Sequence, residues 1–122
     1  MGMGFEEGIA AADVIRTVEF ARDLGPIADR TPDLMHPDLQ RIVERGRAIS
    51  AVDYLAARDA RRRLNRTVEL LASDHGTILG PAAPGPAPEG LATTGDPVFC
   101  SLWTFLGTPS LTLPVFADDA LP

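Results

Sequence analysis

The sequence contains no lysine, only one cysteine and no long apolar run. A single cysteine excludes a disulfide within the chain and is typical of a reducing compartment, so we expect a cytoplasmic protein. The first residues, Met1-Gly2-Met3, lack the basic segment and apolar core of a signal peptide. Because a membrane span needs about 18 apolar residues, we also expect no membrane association.

The charge balance is acidic, with a net charge of −6 and a pI near 4.7. All eleven basic residues are arginines. Attraction to phosphate needs a net basic face, so this composition argues against a general nucleic-acid binder. The length of 122 residues and the apolar fraction of 45% suit one folded domain.

Helical periodicity dominates residues 9–76. A first amphipathic helix carries Val14 and Val18, and we expect Gly25-Pro26 to end it. Pro37 is well placed to begin a second helix. A third helix follows a capping-box pattern at residues 50–53, and its predicted apolar stripe is Val52, Ala56, Ala60, Leu64, Val68 and Leu71.

The opposite side of the third helix holds Arg58, Arg61, Arg62 and Arg66. Such a charge run is most often a solvated helix face, and this is the interpretation that we favour.

The second half of the chain is rich in proline and glycine. Residues 77–79 and 110–115 have the pattern of short strands. Between them, residues 80–90 have proline at four of eleven positions, which excludes a helix and predicts either a linker or a rigid loop over a binding surface. Asp96 is placed to cap a helix over residues 98–106, whose apolar composition predicts burial.

The residues alone predict no complete active site, metal site or cofactor site. Ser73, Asp74 and His75 are adjacent, whereas a catalytic triad is assembled from separated segments with the base between its partners. Cys100 has apolar neighbours, so we expect a buried, inert thiol. One cysteine and two distant histidines offer no metal-ligand spacing, and no phosphate-binding glycine motif occurs.

A set of short motifs resembles the C-terminal part of amidase-signature enzymes, a family that includes the amidase-like chains of amidotransferases. The motifs are residues 47–54, 78–84, 94–97, 99–104, 106–109 and 113–114, and the resemblance covers roughly residues 14–122. The chain departs from the family pattern at Gly80, Thr104 and Phe116, where the family often has Thr, Asn and Gly.

The resemblance implies an α/β fold: a helix-rich C-terminal fragment of an α/β/α domain with a large mixed sheet. Residues 1–122 would form a partial amidase-like domain, with a helical region at 1–76, a short strand and proline-rich loop at 77–93, and a buried helix and strand at 94–122.

The implied activity is hydrolysis of a small carboxamide to a carboxylate and ammonia or an amine. The family uses a Ser nucleophile, a second Ser joined through a cis peptide, a Lys base and a Gly/Ser-rich loop that holds the oxyanion. This chain has no lysine and no adjacent serines. The resemblance therefore implies a C-terminal portion that needs the missing N-terminal catalytic portion or a partner chain, and that is inactive alone.

By the same resemblance, Thr94, Asp96, Phe99 and Trp103 would border the acyl side of the substrate pocket. Phe99 and Trp103 would make apolar contacts, while Thr94 and Asp96 would make polar contacts or brace the loop. A helix cap at Asp96 and ordinary core packing of the aromatic residues explain the same residue types without a ligand. The alternative function is a non-catalytic helical binding or subunit protein with a proline-rich docking arm.

Overall fold

The computed structural model describes residues 4–90 and 93–115. Within them the elements are α1 (Phe5–Arg30), a 3₁₀ turn (Pro32–Leu34), α2 (Pro37–Ala48), α3 (Ala51–His75) and α4 (Val98–Leu106). The chain divides into two compact units between Thr67 and Val68. The first contains α1, α2 and most of α3, and the second contains the end of α3, the proline-rich loop and α4.

The expected α/β fold with a large mixed sheet is wrong for the described residues, which contain helices and no strand. Residues 77–79 and 110–115 are β-prone, but no neighbouring segment pairs with either of them in the described chain. A strand exists only through such pairing, because its backbone groups bond to another strand. Both segments are therefore extended coil; residues 116–122, the end of the predicted region 94–122, lie outside the described residues.

Helix α1 continues five residues past Gly25, so the predicted end at Gly25-Pro26 is wrong. Proline inside a helix removes one backbone hydrogen bond and typically costs about 3 kcal/mol. The last turn has compensating contacts: the N–H and the hydroxyl of Thr31 both donate to the Ile27 carbonyl, at 2.9 and 3.1 Å. In addition, Arg47 Nη2 of α2 donates to Asp29 Oδ2 at 2.7 Å.

The first unit is centred on a close approach of α1 and α2 at Gly46. A Cβ atom at this position would lie 2.3 Å from the Thr17 carbonyl oxygen and 2.6 Å from Ala21 Cβ. Thr17 and Val43 are almost completely buried there. Arg45 Nη2 donates to Thr17 Oγ1 at 2.8 Å and to Asp13 Oδ1 at 3.2 Å, which satisfies the buried hydroxyl.

The bounds of α3 agree with the sequence, but its buried face matches the predicted stripe only at Ala60 and Leu64. Ser50 Oγ accepts the N–H of Asp53 at 3.1 Å, which confirms the predicted cap. The buried residues are Ala57, Ala60 and Leu64, whereas Val52 is 75% exposed. Successive steps of four residues drift by about 40° each around a helix, so the predicted stripe rotates away from the packed face.

We expect Gly46→Ala to destabilise the first unit, because the added methyl group must displace α1 backbone. Overpacking of this kind typically costs about 1–3 kcal/mol. The measurement is the free energy of unfolding by urea denaturation. Gly80→Ala is the matched control, since a Cβ at that position would meet no atom within 4 Å. Equal stability of the two variants would contradict the close approach.

The Arg47–Asp29 pair gives the first unit a pH dependence. The hydrogen bond from Arg47 holds the pKa of the Asp29 carboxyl below its ordinary value. The stabilisation is therefore complete above about pH 4, the unfolded-state value, and is lost as the pH falls through the lower folded-state pKa. Both groups are exposed, so we expect a small effect.

The measurement is the difference in melting temperature between the wild-type protein and Arg47→Gln. We expect this difference to shrink as the pH is lowered from 6 to below 4. A difference that stayed constant with pH would show that Arg47 acts through packing on Gly25 and not through its charge.

Candidate functional site

The candidate site is α4 together with the loop that leads into it, all within the second unit. Asp96 Oδ1 accepts the N–H of Val98 at 3.0 Å, so the Asp96 carboxylate caps the helix. Just before it, Gly95 has a φ of +89°, a conformation that favours glycine, and its N–H donates to Thr93 Oγ1 at 3.1 Å. The predicted helix over residues 98–106 is confirmed, but its N-cap residue is Pro97, and Asp96 bonds to the first N–H of the helix from the residue before the N-cap.

The C-terminus of α4 is closed by backbone bonds around Trp103. Gly107 has a left-handed φ of 71°, and its N–H donates to the Trp103 carbonyl at 3.0 Å. The N–H of Thr108 donates to the same carbonyl at 3.2 Å. Bonds of this kind satisfy the carbonyl groups that a helix end leaves unpaired, so the backbone of Trp103 has a structural role.

The side chains of α4 fall on two faces. Leu102, Phe105 and Leu106 are buried, as their apolar character predicts. Phe99 and Trp103 are four residues apart, so they share one face, and both are half-buried. Each of these residues therefore keeps part of its surface accessible.

Cys100 is exposed, so the prediction of a buried thiol is wrong. It precedes Leu102 by two residues, which places it about 200° around the helix from the centre of the buried face. Its Sγ lies 3.6 Å from the carbonyl oxygen of Ala82 in the proline-rich loop. Leu102, one of its apolar neighbours in the sequence, lies on the other side of the helix and is buried.

The proline-rich loop lies against α4 and the segment before it. Besides the contact between Ala82 and Cys100, the ring of Pro88 lies 3.5 Å from where a Cβ on Gly95 would be. Gly90 turns the chain with a φ of +84°. Of the two interpretations of this segment, these contacts favour a loop laid over a surface.

The structure brings the four predicted site residues into one short region but gives them different surroundings. Asp96 is committed to the helix cap. Thr94 is exposed and makes no hydrogen bond with any described residue. Phe99 and Trp103 therefore remain as the residues suited to an apolar ligand, while Thr94 is open to a polar one.

Within the described residues, the other candidate catalytic and metal-ligating side chains do not form a catalytic or metal site. Ser73, Asp74 and His75 are exposed at the end of α3. No group of three or more His, Cys, Asp or Glu residues is placed to hold a metal ion within residues 4–90 and 93–115. The polar contacts of Thr17 with Arg45 were not predicted, because they join residues 28 positions apart that share no local motif.

Comparisons with family models, with curated proteins and with solved structures found no match. None of the helices in the described part of the chain combines the length and apolar character needed to cross a membrane.

We expect Asp96→Ala to loosen α4 by removing the acceptor for the N–H of Val98. Loss of such a cap typically costs about 1 kcal/mol, which corresponds to roughly fivefold lower amide protection. Hydrogen exchange of the α4 amides measures this change. Asp96→Asn should keep most of the protection and Thr94→Ala should change nothing; a loss in Thr94→Ala as large as that in Asp96→Ala would contradict the capping role.

Proposed function

We propose that this chain is the C-terminal portion of an amidase-signature amide hydrolase. In this role it supplies scaffold and one wall of the substrate pocket, while the nucleophile, the base and the oxyanion-binding loop come from a catalytic portion outside this sequence. The support from the sequence is the order and spacing of the motifs between residues 47 and 114.

The observation that carries the proposal is an exposed apolar run in the second unit. Leu111 is 84% exposed, Leu113 is 61% exposed and Val115 is 67% exposed. Leu79, in the other β-prone segment, is 96% exposed. Contiguous exposed apolar side chains mark surfaces that another polypeptide covers, so these segments fit a protein that lacks part of its domain.

The chemistry assigned to the missing portion follows from what amide hydrolysis requires. A serine hydroxyl attacks an amide only when a base takes its proton, and the oxyanion that forms needs fixed hydrogen-bond donors. The sequence has no lysine to serve as that base. Phe99 and Trp103, half-buried on one face of α4, suit contact with the acyl group, and Asp96 positions them by capping the helix.

The second candidate is a non-catalytic helical binding or subunit protein. The purely helical secondary structure of the described residues favours it. In this case α1, α2 and α3 would form the interaction surface. The contacts of the proline-rich loop with α4 fit a projecting docking arm less well. For either function we place the protein in the cytoplasm, on the basis of its single cysteine.

The test is reconstitution with a catalytic portion. We would co-express this chain with an amidase-signature enzyme truncated before the region that matches residues 14–122, and measure ammonia release from benzamide. We expect no release from either chain alone and measurable release from the pair. Ammonia release from the purified chain alone would contradict the assignment of nucleophile and base, and a failure of the folded chains to associate would favour the helical binding protein.

Matched variants test whether residues 111 and 113 contact the catalytic portion. Leu111→Asp combined with Leu113→Asp should abolish association, because charged groups would be buried in the interface. Leu34→Asp is the control, since Leu34 is 85% exposed in the first unit and outside the proposed contact. In the reconstituted enzyme, Trp103→Ala should raise KM for benzamide with a smaller change in kcat, as expected for a pocket wall.

A further inference from the structure

A second surface, in the first unit, differs from the rest of the chain in charge. Arg58, Arg62 and Arg66 follow one another at intervals of four residues along α3, and all three are exposed. Residues four apart share one side of a helix, so the three guanidinium groups line a strip about 12 Å long. We refer to these three residues as the arginine face.

Most arginines in the described chain are held by carboxylates. Arg45 pairs with Asp13, and Arg47 pairs with Asp29, so each links α2 to α1. Arg63, which is on α3 but not on the arginine face, pairs with Glu7 at 3.2 Å. Of the seven arginines that form ion pairs within the described residues, three tie α1 to another helix, and four bond to a carboxylate of their own helix.

Within the described residues, no ion pair links the arginine face to another helix. Arg66 makes no ion pair with any residue that the structure describes. Arg58 lies over the Tyr54 ring, 5.9 Å from its centroid, and pairs with no described carboxylate. Arg62 bonds to Asp59, one turn earlier on the same helix, so this contact links no second element.

The arrangement is unfavourable for the isolated helix. Like charges four residues apart repel each other, and the arginine face contains two such pairs, Arg58 with Arg62 and Arg62 with Arg66, of which the Asp59 carboxylate bonded to Arg62 offsets a part. The strip is also basic on a chain whose net charge is −6. An acidic partner would reduce the repulsion between these arginines. Its negative charges would also be attracted by the positive charge of the arginine face.

We propose that the arginine face binds an acidic segment of a partner protein, with carboxylates that pair with Arg58, Arg62 and Arg66. The planar guanidinium group offers two parallel N–H donors to a carboxylate, which makes arginine suited to this contact. A protein segment is favoured over a nucleic acid because its acidic residues can be limited to the length of the strip, whereas a continuous polyphosphate extends over the rest of this acidic chain, which repels it. This proposal does not depend on the amidase assignment.

The experiment uses the full chain and a fluorescently labelled poly-glutamate peptide of about 20 residues, long enough to span the strip. Binding is measured by fluorescence anisotropy at 50 and 150 mM NaCl. The test variant is Arg58→Gln/Arg62→Gln/Arg66→Gln. The control is Arg16→Gln/Arg22→Gln/Arg41→Gln, which removes the same charge from exposed arginines that already pair with Asp13, Asp23 and Asp38. Circular dichroism establishes that both variants keep the helical content of the wild type.

We expect the test variant to weaken binding at least tenfold and to reduce its salt dependence, and we expect the control to change it less than twofold. Equal weakening by both variants would overturn the proposal, because the attraction would then come from overall charge. Absence of wild-type binding at 50 mM NaCl would also overturn it. If a 20-base-pair DNA duplex bound more tightly than the peptide through the same arginines, the proposed protein partner would be wrong and the partner would be a nucleic acid.

Discussion

The first unit depends on how closely α1 and α2 approach each other at Gly46. Without a Cβ, this residue lies directly on the Thr17 carbonyl and Ala21 of the facing helix. The short distance brings Arg45 within reach of Thr17 and Asp13, and Arg47 within reach of Asp29. A larger residue would push the helices apart and lengthen all of these contacts together, since packed helices move as rigid bodies.

In the first unit, features set by neighbouring residues were predicted from the sequence, whereas features set by the packing of α1 against α2 were not. The start of α2 at Pro37 and the cap of α3 at Ser50 are set by neighbouring residues, and both were predicted. The extension of α1 past Pro26 was not, because the stabilising contact with Arg47 comes from another helix. Gly46 lies in the last turn of α2, where glycine is an unfavourable helix residue. Its function lies in the space it leaves for α1, which a single sequence does not reveal.

In the candidate site, the bounds of the helix were easier to predict than the exposure of its side chains. The bounds of α4 follow from local rules, and so does the bond from the Asp96 carboxylate to the first N–H of the helix, although the N-cap residue is Pro97. The burial of Cys100 was inferred from its sequence neighbours, but neighbours along a helix point in different directions. Exposure depends on the angular position of a residue around the helix. The sequence also did not predict which side of α4 the proline-rich loop contacts, because that contact joins residues 18 positions apart.

The difference between α4 and residues 110–115 shows why the expected sheet is missing while the helices are present. A helix satisfies most of its backbone hydrogen bonds within itself, and the Asp96 carboxylate and the turn at Gly107 bond to groups at the two ends of α4. A strand bonds to a neighbour, and the described chain provides none for residues 110–115. Leu111 and Leu113 keep the alternation of a strand and expose the side chains that a neighbour would cover. A strand at residues 110–115 would need a pairing segment that the described chain does not provide, whereas α4 forms without one.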